Sequence, residues 1–427
     1  MILSRKHAPM RPHVNGGKEL RRLLIGYASV HLGISLLWAG EELLGLYIVV
    51  RFLALEPGLA GGLFLASAMA NAFCDGAIGR AIIRFGAFRR ALPLLSTLAI
   101  LAASASFAAL PILTPRNVWE ATLLLLVFRL SYSVADVPHN GLTRRLAARG
   151  ADLMAARIRA FGSAIATLVI GFAAALLQSS ASDTPFKASL LCGFIALAAL
   201  ALMVPLPFLL RGDNLSSGPS EVTPTGRTSS ALLRFSTATM FGIAAIAATA
   251  KALLHIDTVD NALAPLALLI VIVARLGAIW LWSPLARGIG SGPALGWAYA
   301  ACGATALLLP WAGQLGPAVI LLFAWFGVGS GGVAFLSWAV LTKAIARDGQ
   351  TGATRFTAAF SIYTMMTKIA LGLAALLVGT WLSSIGMRIH ADPRQFLLLG
   401  LPIALTCTLA GVAIARDHCQ AERHDPS

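Results

Sequence analysis

The sequence predicts an all-α integral membrane protein with twelve transmembrane helices in two bundles of six. Three observations predict this fold class: few residues are charged, apolar residues recur in long blocks, and a polar segment divides the chain near its midpoint. Of the 427 residues, 58% are hydrophobic and 12% are charged, and the mean hydropathy is +0.79. An average soluble domain carries about 25% charged residues, so a soluble globular protein is excluded.

The apolar blocks are roughly 20 residues long, which lets a helix cross about 30 Å of hydrocarbon. A membrane β-barrel would show alternating segments of about 10 residues instead. In chain order, we predict helices over 24–50, 59–84, 91–113, 118–141, 160–178, 188–210, 232–254, 262–283, 293–312, 317–340, 356–384 and 396–415.

The basic residues predict the orientation in the membrane. With a cytoplasmic N-terminus, twelve helices return the C-terminus to the cytoplasm. When residues at the helix ends are counted with the adjoining loop, that side holds 24 of the 33 Lys and Arg residues and the opposite side holds five, as the positive-inside rule requires. The remaining four lie within predicted helices: Arg129, Lys251, Arg275 and Lys368. We therefore read the net charge of +15 as a topology signal, and we expect no nucleic-acid partner.

The predicted domains are a cytoplasmic tail (1–23), a first bundle (24–210), a cytoplasmic linker (211–231), a second bundle (232–415) and a second cytoplasmic tail (416–427). The linker is rich in Gly, Pro, Ser and Thr and has no apolar period. The motifs "LTRRLAARG" (142–150) and "LTKAIARDG" (341–349) follow helices 4 and 10 at an offset of 199 residues. This match indicates an internal duplication, which is common in secondary transporters.

The polar N-terminal segment and the cysteines set further expectations. The first 23 residues are polar and basic and the first apolar block is full length, so we expect a signal anchor and no cleaved signal peptide. The five cysteines are scattered without metal-ligand spacing. We expect reduced thiols, no metal site and no cofactor apart from a coupling ion.

Helix 2 contains the first candidate site, in the stretch "NAFCDGAIG" (71–79). A carboxylate within an apolar span costs several kcal/mol or more unless it has a partner, so Asp75 is a candidate functional residue. Asn71 lies four residues earlier, on the same helix face, and Gly79 lies four residues later, where it predicts close packing. Asp75 and Asn71 could bind a proton or a small cation. The alternative is that Asp75 only accepts structural hydrogen bonds from a neighbouring helix.

Helix 4 carries a polar stripe at i, i+4, i+7 and i+11: Arg129, Ser133, Asp136 and Asn140. Arg129 and Asp136 are about two turns apart, so each is expected to pair with another helix. These pairs could be purely structural.

Helix 1 carries a second polar stripe, formed by His31, Ser35, Trp38 and Glu42, with Glu41 beside it. An aromatic ring beside hydrogen-bonding groups is typical of a site for a polyhydroxylated solute. One of the two glutamates could instead extend toward the outer interface.

Lys368 lies midway along helix 11 and needs a carboxylate or a water-filled cavity. We expect it to oppose Asp75 and Asp136 across the interface between the two bundles. Protonating or breaking such a charge network would favour one access state over another.

Two of these stretches carry a family resemblance. "YSVADVPHNGL" (132–142), followed by Arg159, and "NAFCDGAIG" with "GAFRR" (86–90) resemble signatures of the glycoside-pentoside-hexuronide:cation symporters of the major facilitator superfamily. Lys368 falls where that family has its helix 11 lysine. The resemblance spans most of the chain at low identity.

The resemblance implies a major facilitator fold and assigns roles to residues. Asp75 and Asn71 correspond to the cation site, Asp136 and Asn140 to substrate contacts and Lys368 to a coupling residue. With the polar stripes of helices 1 and 4 and the helix 5 arginine, the predicted substrate-binding residues are Asp136, Asn140, Ser35, Trp38, Glu42 and Arg159, and Arg129 joins Lys368 in the predicted charge network. This chain departs from the family pattern where Asn71 replaces an acid, Gly76 replaces a proline and Ser35 stands in place of a helix 1 acid. Fewer carboxylates favour H+ over Na+ as the coupling ion, since one acid suffices for a proton.

The expected function is cation-coupled symport of a sugar, glycoside or related small solute by a monomer in the bacterial inner membrane. One alternative is proton-coupled efflux or transport of a lipid-like solute. Another is an assembly factor or sensor that keeps the fold without transport. An enzyme is not expected, because the sequence contains no HExxH, no Gly-x-Ser-x-Gly and no Walker motif.

Overall fold

The computed structural model describes residues 16–147, 149, 151–179, 184–211, 230–254, 264–314, 318–347, 353–385 and 393–423. Most of the predicted linker and both chain ends lie outside these ranges. Twelve long helices follow one another in the described chain. They are α1 (Gly16–Arg51), α2 (Pro57–Arg84), α3 (Gly86–Ala109), α4 (Val118–Ala147), α5 (Asp152–Ser179), α6 (Pro185–Met203), α7 (Ser230–Leu253), α8 (Ala264–Ile289), α9 (Ser291–Leu308), α10 (Val319–Arg347), α11 (Ala353–Ile385) and α12 (Pro393–Arg423).

The prediction of an all-helical membrane protein is confirmed for the described residues. Eleven of their helices are long and apolar enough to cross a membrane, and a pair bent by 44° within α8 brings the number up to twelve. The boundaries differ from the predicted ones in places. Helix α1 begins at Gly16, inside the predicted tail, and a turn at Val204 and Pro205 separates α6 from a short helix, Leu206–Leu210.

Helix packing repeats with an offset of six helices. In the first bundle α1 packs on α5 and α6, α2 on α4, and α3 on α4 and α6. In the second bundle α7 packs on α11 and α12, α8 on α10, and α9 on α10 and α12. The weak sequence repeat therefore corresponds to a repeat in the packing of the two bundles.

Two seams, α2 with α11 and α5 with α8, join the bundles. Small residues bring the two backbones close together in the α2–α11 seam. A Cβ built on Gly61 would lie 2.6 Å from the Ala375 carbonyl oxygen, and one built on Gly379 would clash with the Pro57 carbonyl oxygen. In the α5–α8 seam, a Cβ built on Gly171 would clash with Ile272 Cδ1. Under the predicted topology, these contacts all lie in the outer half of the membrane.

The outer end of the α2–α11 seam is also joined by hydrogen bonds. Glu56 is the N-cap of α2 and accepts from the backbone N–H groups of Gly58 (2.9 Å) and Leu59 (2.6 Å). Ser383 on α11 donates its hydroxyl to the same carboxylate and accepts from Gly58 N at 2.8 Å. The structure is therefore closed at this end.

Candidate functional site

Three charged side chains meet where the two bundles face each other. Lys368 on α11 donates a hydrogen bond to Asp75 Oδ2 on α2, and its Nζ lies 3.7 Å from Asp136 Oδ2 on α4. The side chain of Lys368 is 8% exposed, that of Asp75 is 20% exposed and that of Asp136 is 15% exposed. We call Asp75, Asp136 and Lys368 the central triad. With both carboxylates ionised, the central triad carries one excess negative charge.

The central triad borders open space on the α2 side. A Cβ built on Gly76 or Gly79 would meet no atom within 4 Å. The prediction that Gly79 packs closely is therefore wrong, because the close helix contact lies on the outer half of α2, at Gly61. Asp75 Oδ1 has no hydrogen-bond partner among the described residues.

Asn71 is fully buried one turn above Asp75, toward the predicted outer side. Its Nδ2 donates to the Arg129 carbonyl oxygen at 2.9 Å, and its backbone carbonyl oxygen accepts from Ser133 Oγ at 3.4 Å. These bonds hold α2 against α4. In the described part of the chain, Asn71 Oδ1 lacks a hydrogen-bond partner. The amide thus has a structural role and still offers one free acceptor.

A second charged group lies further toward the predicted outer side. Arg129 Nη2 lies 2.9 Å from Glu41 Oε2 and 2.7 Å from Glu42 Oε1. Lys251, on α7 of the other bundle, lies 3.2 Å from Glu42 Oε2 and donates to the Glu42 carbonyl oxygen. All four side chains are at most 8% exposed, and their formal charges sum to zero. We call these four residues the outer network.

The outer network places Glu42 apart from the other predicted substrate-binding residues. Both of its carboxylate oxygens are engaged by cations, so its side chain is not directed into open space. Sequence reasoning left Lys251 outside the candidate site, although a lysine within an apolar helix was the same signal that singled out Lys368.

Trp38 lies close to one cation of the central triad and one of the outer network. Its ring centroid lies 4.8 Å from Arg129 Cζ and 5.5 Å from Lys368 Nζ. Tyr132 packs beside it, with ring centroids 4.8 Å apart, and lies 5.6 Å from the same ammonium. Cations at these distances are stabilised by the aromatic quadrupole.

The remaining predicted residues form a third cluster between α1, α4 and α5. Arg159 Nη1 donates to Asn140 Oδ1 at 2.7 Å. Ser35 Oγ lies 3.4 Å from His31 Nε2 and 3.3 Å from Ser163 Oγ. The predicted substrate-binding set is therefore divided, with Asp136 and Trp38 at the central triad, Glu42 in the outer network, and Ser35, Asn140 and Arg159 here.

A buried histidine pair anchors the third cluster. His31 Nδ1 lies 3.3 Å from His139 Nε2, and His31 Nε2 lies 3.1 Å from the Arg159 carbonyl oxygen. The Tyr27 ring stacks on His139 with centroids 4.7 Å apart. Sequence reasoning missed His139, although it follows Asp136 by one helical turn. The pairing with His31 spans 108 residues, and no local pattern predicts it.

No protein-family model and no curated protein sequence matches this chain. Solved structures do match it. The nucleoside transporter NupG is 14% identical with a TM-score of 0.67, covering 93% of this chain and 99% of its own. A D-xylose-proton symporter is 13% identical with a TM-score of 0.67, covering 93% and 97%. The peptide transporter PepTSo of the POT family is 12% identical with a TM-score of 0.64, covering 95% and 99%.

At these identities the likeness shows the fold alone. The chain has the architecture of major facilitator transporters, as the sequence predicts. The narrower resemblance to the glycoside-pentoside-hexuronide:cation symporters stays a prediction.

Proposed function

We propose that this protein is a secondary active transporter that couples a small solute to a cation by alternating access. The observation that carries this proposal is the central triad. It joins α2 and α4 of one bundle to α11 of the other, and it holds two carboxylates against one ammonium. A group that binds a cation between two bundles can link cation binding to their relative movement.

The unpartnered oxygens support a cation site at Asp75. Asp75 Oδ1 and Asn71 Oδ1 both lack hydrogen-bond partners in the described chain. A proton or a metal cation at Asp75 would remove the excess negative charge and weaken the bond to Lys368. Loosening that bond would favour separation of α2 from α11. H+ is the preferred coupling ion because one carboxylate accepts it without a full set of oxygen ligands.

The closed outer seam supports the alternating-access assignment. Gly61, Gly379 and Glu56 hold α2 against α11 on the predicted outer side. Below this seam, Gly76 and Gly79 face open space. This arrangement corresponds to a site open toward the predicted cytoplasmic side. We place both termini in the cytoplasm and the protein in the bacterial inner membrane, on the charge distribution of the loops.

The polar and aromatic lining supports a sugar, a glycoside or a related small solute as the substrate. Trp38 and Tyr132 place aromatic rings next to the Lys368 ammonium, which also contacts the Asp136 carboxylate, and aromatic rings beside hydrogen-bonding groups are typical of a site for a hydroxylated ring. Asn140 and Arg159 add hydrogen-bonding groups nearer the predicted cytoplasmic side. A D-xylose-proton symporter with the same fold is compatible with this class.

The test is gradient-driven uptake by purified protein in proteoliposomes, with a panel of labelled sugars and glycosides, at pH 6 to 8 and with or without Na+. Asp75→Asn should abolish accumulation against a gradient and keep solute exchange at equal concentrations. Unchanged pH-driven accumulation by Asp75→Asn would refute the coupling role.

The matched control is Glu120→Gln, which neutralises a carboxylate on α4 that bonds Thr114 at the helix end, away from the central triad. This variant should accumulate solute as the wild type does. If no solute of the panel is taken up or exchanged by the wild type, the sugar assignment fails.

A further inference from the structure

Four basic residues lie within the predicted membrane-spanning helices and away from the helix ends, and carboxylates partner three of them. Arg129 and Lys251 are paired within the outer network, and Lys368 is paired within the central triad. Arg275, on α8, has neither an ion pair nor a hydrogen bond within the described ranges of the chain. A guanidinium at this depth requires a counter-charge or water.

The side chain of Arg275 is exposed on the inner face of α8. Val273 is 58% exposed and marks the lipid face, whereas Val271 and Ala278 are buried. At 3.6 residues per turn, Arg275 lies about 160° around the helix from Val273. It is nevertheless exposed. An exposed residue opposite the lipid face of α8 lines the space between the two bundles.

The neighbouring helices locate the position of Arg275 on α8. Ile272 meets Gly171 of α5, and the backbone oxygen of Arg275 lies 2.5 Å from a Cβ built on Gly331 of α10. Arg275 therefore lies between the α5 side and the α10 side of α8, one turn below the closed α5–α8 seam.

The internal repeat relates Arg275 to the central triad. Helices α2 and α8 end 205 residues apart, at Arg84 and Ile289, which places Arg275 at the position equivalent to Ala70, five residues before Asp75. Helices α2 and α8 also occupy equivalent places in the repeated packing. The space between the bundles thus has an excess carboxylate on its α2 side and an excess guanidinium on its α8 side.

We propose that Arg275 binds the anionic group of the transported solute, a carboxylate or a phosphate. This inference rests on the proposed transport function and narrows its substrate to an acidic sugar or a sugar phosphate. A guanidinium presents five donors in a plane and binds both groups through paired hydrogen bonds. A cation at the central triad and an anion at Arg275 would neutralise both excess charges, so that the loaded site carries no unpaired charge through the membrane.

The experiment measures binding, so that it is separate from the transport assay. Purified full-length protein in nanodiscs is titrated at pH 7 with gluconate, glucose 6-phosphate and inorganic phosphate, and with neutral glucose as the reference, with melting temperature as the readout. The wild type should be stabilised more by at least one anionic probe than by glucose. Arg275→Gln should weaken that response at least tenfold, and Arg275→Lys should keep part of it.

Arg287→Gln provides the matched control, because it removes an exposed guanidinium from the end of the same helix. It should respond as the wild type does. The proposal is overturned if no anionic probe exceeds glucose, or if Arg275→Gln keeps the full anion response. An Arg275-dependent response without uptake of the anion would uphold the binding site and refute the carrier function. Uptake of neutral sugars, with no anion response that depends on Arg275, would uphold the carrier function and refute the anion-binding site.

Discussion

Lys251 on α7 donates its ammonium to the backbone carbonyl oxygen of Glu42 on α1, and the same nitrogen lies 3.2 Å from the Glu42 carboxylate. The bond is buried and crosses from one bundle to the other. Arg129 holds the remaining carboxylate oxygen within the first bundle. The outer network therefore forms a charged contact that must break if the predicted outer side is to open.

Lys251→Gln should shift the protein toward an outward-open state. Removing one partner of a buried pair costs about 3–5 kcal/mol, mostly because the other charge is left uncompensated. That penalty acts on the closed state, where Glu42 is sealed from water. The measurement is the distance between spin labels at Trp119→Cys and Ile320→Cys, on the exposed outer ends of α4 and α10. This distance should lengthen.

Combining Lys251→Gln with Glu42→Gln should restore much of the closed population, since Arg129 and Glu41 then remain as a neutral pair. We expect a coupling energy of about 0.5–3 kcal/mol between the two positions. Strict additivity of the two single variants would show that the contact does not hold the bundles together.

Gly61→Ala should also disfavour the closed state. Its Cβ would lie 2.6 Å from the Ala375 carbonyl oxygen, so α2 and α11 would have to move apart. Overpacking of this kind costs about 1–3 kcal/mol, and 1.4 kcal/mol is a tenfold change in an equilibrium constant. The same spin-label distance reports the shift. Gly79→Ala is the control, since its Cβ meets open space, and an equal effect of both variants would contradict the packing argument.

Trp38→Leu should destabilise the protein by removing a ring that faces two cations. Arg129 Cζ and Lys368 Nζ lie 4.8 and 5.5 Å, respectively, from the ring centroid. Each cation–π contact contributes about 0.5–2 kcal/mol. Trp38→Phe keeps a weaker ring face and should lose less stability than Trp38→Leu in thermal unfolding. Equal losses would assign the role of Trp38 to packing alone.

The Glu56 cap should make closure at the outer end sensitive to acid. The pKa of Glu56 lies below its ordinary value of 4.5. The hydrogen bond from the Ser383 hydroxyl is the largest cause, and the backbone N–H groups of Gly58 and Leu59 add to it. Because the pKa of Glu56 is lower in the folded protein, the ionised cap stabilises the closed seam fully at pH values above the ordinary pKa. This stabilisation is lost as the pH falls through the lowered pKa of the folded state. The spin-label distance should therefore begin to lengthen below about pH 4.5.

Glu56→Gln separates this effect from other acid-sensitive groups. A carboxamide has one acceptor oxygen and no titration in this range, so the variant should show a longer distance at pH 7 and a flatter response to acid. A response to acid identical to that of the wild type would remove Glu56 from the explanation.

Much of the architecture could be predicted from the sequence because lipid demands long apolar helices. The same reasoning identified Asp75, Asp136 and Lys368, since ionisable groups at that depth need partners, and the structure brings these three together. The two-turn separation of Arg129 and Asp136 also indicated that they pair with different helices, as they do.

The sequence does not predict which polar residues pair with each other. In a membrane helix the lipid face and the buried face are equally apolar. Apolar periodicity then gives no direction to a polar side chain. Glu42 was assigned to the substrate, yet it binds Arg129 and Lys251. Asn71 was assigned to the cation, yet its amide nitrogen is bonded to a backbone oxygen of α4. Both partners lie on other helices, far away in sequence.

The six-helix repeat in the packing has a mechanical consequence. A half-turn about an axis between the bundles exchanges the α2–α11 contact with the α5–α8 contact. A rocking motion that keeps this symmetry separates both contacts together, so opening the predicted outer side requires both contacts to break. A cross-link placed in either contact should therefore arrest the whole cycle.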